Sequence, residues 1–161
     1  MSIVSFVQIL IEALVKKEAL LNNIQNACNE QDLCLKMDIP DIAKYSQYAD
    51  VKSDLSKEIE KIDEGFLSVY ERIKDELETN ASMYADQIRR MKALVASITE
   101  KTNSINVKEQ RLNAEIKKRI GVNSSQGKIG STNSIAAQRY ASTMKGNSSL
   151  TTDATFINSK K

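Results

Sequence analysis

The feature that most constrains this chain is an apolar heptad repeat that runs through its first 120 residues and stops at Gly121. Before that point Pro40 and Gly65 are the only proline and the only glycine, and four of the five glycines lie at or beyond Gly121, among Ser, Thr and Asn. Heptad spacing predicts long helices that each bury one apolar stripe. The sequence therefore predicts a helical body at residues 1–120 and a flexible, basic tail at residues 121–161.

The first predicted helix spans about residues 3–31. Its two seam positions are occupied by Val7, Leu14, Leu21 and Cys28, and by Ile3, Leu10, Lys17, Ile24 and Gln31. Lys17 is the one charged residue in this seam, and we expect its stem to lie along the seam while its ammonium group reaches water. The pattern fades in a polar stretch at residues 29–32, which predicts a loop at residues 32–39.

A second helix is predicted at about residues 40–78, because Pro40 and the acidic residues beside it are typical of a helix N-terminus. The apolar register then slips around residues 78–80, and a third helix is predicted at about residues 81–120. The slip is compatible with a turn or with one very long helix that absorbs a stutter. Asn80 favours the turn, since asparagine is common at caps and turns.

The predicted fold class is all-α: an antiparallel bundle or coiled coil of three long helices, followed by a flexible C-terminal tail that contains a short helix. The first helix is predicted to be the shortest, at roughly 29 residues against 39 and 40. Parts of the second and third helices should then protrude with half-covered apolar stripes. A partner helix could lie on such a stripe, and an elongated body of this kind could also form a homodimer.

Composition argues against an enzyme. The chain contains no His, which excludes Ser/His and Cys/His catalytic arrangements and removes the commonest metal ligand. Cys28 and Cys34 have no other thiol or imidazole with which to complete a metal site, so they are interpreted as ordinary reduced side chains. Carboxylates are plentiful, but they are interpreted as a solvated helix face. We therefore expect no catalytic residues, no cofactor and no metal.

Charge and hydropathy bear on partners and location. The net charge is +2, and the tail holds five basic residues against one acidic residue, which leaves the body slightly acidic. An acidic body is a poor platform for nucleic acid. The apolar start at residues 3–15 has no basic leader and is too short to span a bilayer, so we expect a cytoplasmic protein without stable membrane insertion.

The tail contains one short helix candidate. Residues 121–133 are typical of a flexible linker. A helix is predicted at about residues 134–145, with Ser134 as its N-cap and Gly146 as its stop. A helix this short is marginal alone and should form on a surface. Tyr140, Met144 and Phe156 are the predicted partner-binding anchors of the tail, because apolar residues isolated in a polar tail contribute nothing to a core.

Two stretches of the body and the end of the tail resemble a known family. The stretches are KEIEKIDEGFLSVYERIKDEL (Lys57–Leu77) and YADQIRRMKALVASITEKTNSINVKEQRLNAEIKKRI (Tyr84–Ile120). The ending combines AAQRYASTM (Ala136–Met144) with a terminal FINSKK. Together they resemble bacterial flagellar export chaperones of the FlgN-like kind.

The resemblance implies a cytosolic type III secretion chaperone without catalytic residues. Such chaperones bind the C-terminal helical segments of flagellar hook–filament junction proteins, prevent premature assembly and deliver them to the export gate and its ATPase complex. It also implies that the client-binding surface lies on the later part of the third helix and the tail. Ile105, Leu112 and Ile116 are the candidate stripe residues, with bundle core as their alternative role.

Two other functions fit the same sequence. A chaperone of the filament-cap protein (FliT-like) has a similar helical body and a C-terminal segment able to cover its client site. A structural coiled-coil scaffold would use the apolar stripes for oligomerisation instead. The sequence leaves both alternatives open.

Overall fold

A computed structural model describes residues 2–120 and consists of three helices packed together. They are α1 (Ile3–Lys36), α2 (Ile42–Thr79) and α3 (Ala85–Ile120), and no strand occurs in this part of the chain. The prediction of an all-helical bundle is confirmed. The predicted tail helix at about residues 134–145 lies outside the described residues.

Three of the helix boundaries have a clear local cause. The Ser2 hydroxyl accepts a hydrogen bond from the backbone N–H of Ser5 at 3.3 Å, and Asp41 accepts one from the backbone N–H of Lys44 at 3.1 Å. These side chains cap α1 and α2, because they satisfy N–H groups that have no partner within the helix. At the other end of α2, the backbone N–H of Asn80 bonds to the Glu76 carbonyl at 2.9 Å, and the chain turns before α3 begins.

The predicted loop at residues 32–39 is too long, because α1 continues to Lys36. Cys34 and Leu35 are buried, so the last turn of α1 has its own apolar contacts. Lys36 also pairs with Asp32 one turn earlier, with 2.8 Å between nitrogen and oxygen. The polar stretch at residues 29–32 interrupts the heptad pattern, so the pattern does not predict this last turn. The loop that remains spans residues 37–41.

Contacts between α1 and α2 run in opposite directions along the two helices. Lys17, near the middle of α1, pairs with Asp63, just past the middle of α2. Gln31, near the end of α1, donates from its side-chain nitrogen to the carbonyl of Tyr45, near the start of α2, at 3.0 Å. Residue numbers therefore rise along α1 as they fall along α2.

Contacts between α1 and α3 run in the same direction. Glu18 accepts a hydrogen bond from Ser97, and the Gln25 side chain donates to Ser104 at 3.4 Å. Both pairs are separated by 79 residues in sequence. The helix α1 packs against both of its neighbours, whereas α2 and α3 approach each other much less closely. Hence α1 is the central helix of the bundle.

The first helix is the shortest, as predicted, but the difference is smaller than expected, and the expectation that parts of α2 and α3 protrude with half-covered stripes is wrong. The three helices contain 34, 38 and 36 residues. The C-terminal ends of α1 and α3 lie close together, since Arg119 near the end of α3 donates to the carbonyls of Met37 and Asp38, just beyond the end of α1. The five additional residues of α1 cover the parts of α2 and α3 that the shorter helix would have left bare.

The expectation that the Lys17 ammonium group reaches water is also wrong. Lys17 is 2% exposed, and its nitrogen lies 2.8 Å from the Asp63 carboxylate oxygen. Burial lowers the pKa of Lys17 and raises the pKa of Asp63, and the attraction between the two charges opposes both changes. A seam lysine can be buried here because α2 supplies the carboxylate at the same level.

Replacing Asp63 by Asn should destabilise the fold by about 3 kcal/mol, because it leaves the Lys17 charge buried without its partner. Replacing both residues together, as Lys17→Met with Asp63→Leu, should restore stability to within about 1 kcal/mol of the original chain, since no charge then remains to be desolvated. Urea denaturation followed by circular dichroism measures both free energies of unfolding. A loss below about 0.5 kcal/mol for Asp63→Asn would contradict the role given to this pair.

Candidate partner-binding surfaces and the polar cluster between them

One residue from each helix contributes to a second polar cluster inside the bundle. Lys52 of α2 is buried and forms an ion pair with Glu109 of α3. The Cys28 thiol of α1 donates to the same Glu109 carboxylate at 3.2 Å, and the Lys52 nitrogen lies 3.9 Å from the Cys28 sulfur. This cluster therefore provides a polar link between α2 and α3, which otherwise approach each other only weakly.

The environment of Cys28 makes its thiol unreactive. Burial raises the pKa of Cys28 from 9.0 to about 12, the nearby Glu109 charge adds to the increase, and Lys52 opposes it. Burial also raises the pKa of Cys34, which is likewise a free, buried cysteine. A thiol reacts as the thiolate, so neither side chain is suited to nucleophilic or redox chemistry in the folded bundle.

Among residues 2–120, no group of three or more His, Cys, Asp or Glu side chains is arranged to hold a metal ion. Three further buried polar atoms have no hydrogen-bond partner in this range: the Gln31 side-chain oxygen and the hydroxyl oxygens of Ser56 and Thr102. These single atoms lie on three different helices.

The structure places the three predicted stripe residues in the core. Ile105, Leu112 and Ile116 are at most 4% exposed and belong to the main apolar cluster of the bundle. In the closed bundle they contact the other helices, which is the alternative role that the sequence left open. The three predicted tail anchors, Tyr140, Met144 and Phe156, lie outside the described residues.

Exposed apolar side chains gather at the junction between α1 and α2. Leu33 is 57% exposed, Met37 51% and Ile39 84%. We call these three residues the apolar end of the bundle. The last turn of α3 lies beside them, because Arg119 donates to the carbonyls of Met37 and Asp38. The heptad pattern did not predict this surface, although all three residues lie in the loop predicted at residues 32–39 and were a signal for it.

A second surface is the groove between α1 and α3, near the start of α1. On the α1 side it is lined by Ile11, Val15 and Ala19 together with the polar side chains of Gln8, Glu12 and Lys16. On the α3 side it is lined by Asp86, Gln87 and Arg90. We call these nine residues the α1–α3 groove. Its floor is apolar, while its rim carries charges of both signs.

The described residues thus form an all-helical bundle with polar clusters inside and two apolar surfaces outside. Comparisons with protein-family models, with curated proteins and with solved structures find no match. In residues 2–120, no helix is both long enough and apolar enough to cross a membrane.

The stability of the bundle should depend on pH through Cys28. Between about pH 9 and pH 12 the unfolded chain has released the thiol proton while the folded chain keeps it, so the folded state binds more protons and stability falls as pH rises. Cys28→Ala lacks this contribution. Its free energy of unfolding should therefore decline less between pH 8 and pH 10, by about 1 kcal/mol.

Denaturation at several pH values measures this difference in slope. The cavity left by Cys28→Ala lowers stability at every pH, so it does not affect the comparison. Other groups that titrate in this range, such as Tyr45, whose pKa is also raised by burial, are present in both proteins. Parallel stability curves for the two proteins would show that the thiol proton is not coupled to folding.

Proposed function

We propose that this chain is a cytoplasmic export chaperone of the bacterial flagellum, which binds C-terminal helical segments of hook–filament junction proteins. In this role it prevents their premature assembly and delivers them to the export apparatus. The family resemblance of Lys57–Leu77, of Tyr84–Ile120 and of the chain's ending is the starting point. The exposed apolar end of the bundle is the observation that supports it best.

The apolar end is suited to an amphipathic client helix. A client segment that assembles by helix packing exposes an apolar face before assembly, and a second apolar surface can cover that face reversibly. Met37 favours such a role, because the flexible thioether of methionine adapts to differently shaped partners. Leu33, one turn earlier on α1, extends the same surface along the helix.

The position of the apolar end also connects it to the tail. Residue 121 follows Ile120, the last residue of α3, and Arg119 holds the end of α3 against the α1–α2 junction. In our proposal the client helix lies on the apolar end, and Tyr140, Met144 and Phe156 contact it from the tail. The proposal includes coiled-coil packing of the three helices and a tail helix at about residues 134–145. No cofactor is required.

The buried residues of the third helix have a different part in this proposal. Ile105, Leu112 and Ile116 hold α3 against the bundle and thereby position its basic last turn beside the apolar end. Lys117, Lys118 and Arg119 in that turn suit acidic residues that flank the apolar face of a client. These interactions add selectivity and speed to binding that the apolar contacts stabilise.

A pull-down with purified hook–filament junction proteins should retain at least one of them, and Met37→Lys should weaken that binding by about tenfold or more, because it places a charge in the apolar contact. Isothermal titration calorimetry measures the dissociation constant. Met83→Lys is the matched control, since Met83 is also an exposed methionine in a turn but lies at the opposite end of the bundle.

The outcomes of this experiment separate the alternatives. Retention of the filament-cap protein alone would favour the FliT-like chaperone. Retention of neither class of client would leave the chaperone proposal without support and favour a structural scaffold. Equal weakening by Met37→Lys and Met83→Lys would place the client away from the apolar end.

The tail makes a separate prediction. Replacing Tyr140 and Met144 together by Ala should weaken client binding by about tenfold, because the replacement removes two large apolar contacts. Replacing Thr151 and Thr152 by Ala in the same tail should leave the dissociation constant unchanged. If the double replacement of Tyr140 and Met144 strengthens binding instead, the tail covers the site; if it has no effect, these residues are not part of it.

A further inference from the structure

The first half of α1 is apolar on nearly every side. Between Ile3 and Leu21 it contains only four charged residues, and two of these already have partners within the bundle: Lys17 pairs with Asp63, and Glu18 accepts a hydrogen bond from Ser97. The outward side keeps one acidic and one basic residue, Glu12 and Lys16. A helix that is apolar all round is normally buried on all sides. This half of α1 therefore lacks a neighbour on its outer side.

An exposed apolar row runs along the outer side, next to the polar side chains of Gln8, Glu12 and Lys16. Val4 is 60% exposed and Val15 41% exposed, and Ala19 is exposed as well. Together with the buried Ile11 they form the floor of the α1–α3 groove and its continuation toward the start of α1. From Val4 to Ala19 this row is about 22 Å long, at about 1.5 Å per residue. That length accommodates about four turns of a further helix.

Charged residues of alternating sign lie along the groove. Contacts between α1 and α3 join residues 79 apart, which places Asp86 level with residue 7 of α1 and Arg90 level with residue 11. Read along the α1 axis, the order is Asp86, Arg90, Glu12 and Lys16: acid, base, acid, base. Within residues 2–120 neither Lys16 nor Arg90 forms an ion pair, whereas Asp86 pairs with the neighbouring Arg89.

Reading this order backwards places a basic residue opposite each acidic one and an acidic residue opposite each basic one. If a second copy lies antiparallel over the groove, with the symmetry axis midway between the levels of residues 11 and 12, then Arg90 of each copy faces Glu12 of the other. Asp86 of each copy then faces Lys16 of the other. A two-fold interface requires this kind of self-complementarity, because each pair of contacts occurs twice. A partner with charges of one sign would match only half of the rim.

We propose that the α1–α3 groove is a homodimer interface, in which the first halves of two α1 helices pack antiparallel and α3 of each copy flanks them. The interface brings four helices together, two from each copy. The contact row is only about 22 Å long, so we expect a reversible dimer with a dissociation constant in the micromolar range, about 10⁻⁶ M. The proposal concerns the opposite end of the bundle from the client site and does not depend on the proposed function.

Charge reversal tests the pairing directly on the full chain. Sedimentation equilibrium should give an apparent mass that rises with concentration from 18.0 kDa toward twice that value. Glu12→Lys alone and Arg90→Glu alone should each weaken the dimer by about tenfold or more, because each places like charges opposite one another. The double variant Glu12→Lys with Arg90→Glu should dimerise as the original chain does. An equimolar mixture of the two single variants should also dimerise, since every charge then faces its opposite.

Two controls separate the interface from the fold. Glu64→Lys makes the same charge change at an exposed position on α2 and should leave the mass unchanged. Val15→Lys should weaken the dimer, whereas Val51→Lys, at a position of similar exposure on α2, should not. Thermal unfolding identifies any variant that loses stability, and recovery in the double variant distinguishes a lost contact from a damaged bundle.

Several results would overturn the proposal. An apparent mass of 18.0 kDa at concentrations up to several hundred micromolar would exclude the dimer. A dimer that Val15→Lys and both charge reversals leave intact would lie elsewhere on the surface. If Val15→Lys weakens binding of a junction protein without changing the mass, the groove belongs to a client. If the protein is a monomer, and deletion of residues 121–161 speeds amide hydrogen exchange in the groove, then the tail of the same chain occupies the groove.

Discussion

Two buried ammonium groups determine how the helices of this bundle fit together. Lys17 and Lys52 are each almost fully buried, and each requires a carboxylate from another helix: Asp63 from α2 for the former, Glu109 from α3 for the latter. Apolar seams tolerate sliding, because one leucine contact resembles the next. A buried charge does not, because a shift of one turn leaves it unpaired at a cost of several kcal/mol. The two ion pairs therefore fix the register of α2 and α3 relative to the central helix.

The heptad pattern predicted much of the architecture because periodic burial is a property of the sequence itself. Val7, Leu14, Leu21 and Cys28 were expected in one seam, and all four are buried. The burial of Lys17 could not be predicted in the same way, because a lysine in a seam can either extend into water or pair with a carboxylate on another helix. Only the relative position of α2, which brings Asp63 level with it, decides between these outcomes. The last turn of α1 was missed for a related reason: Cys34 and Leu35 are buried by tertiary contacts that the polar stretch before them conceals.

The candidate surfaces were harder to predict than the core. Periodicity identifies which residues of a helix are apolar, but it does not say which of them a neighbouring helix will cover. Ile105, Leu112 and Ile116 follow the pattern and are covered, while Leu33 and Val15 depart from it and remain exposed. Exposure depends on the lengths and the packing of all three helices, and the predicted length of α1 was too short. The apolar residues that break the seam pattern were thus the better guide to recognition.

The two exposed surfaces share one side of the central helix without merging. Val15 and Leu33 are 18 residues apart, which is five turns, so they point the same way at a separation of about 27 Å. Between them the exposed positions of that side are occupied by Asn22, Asn26 and Asn29. A polar stretch of this length prevents one continuous apolar stripe, which would favour non-specific association. Since the buried ion pairs hold the helices in register, occupation of the groove at one end of α1 need not disturb the apolar end at the other. A dimer formed through the groove would present two apolar ends pointing away from each other, each free to receive a helix.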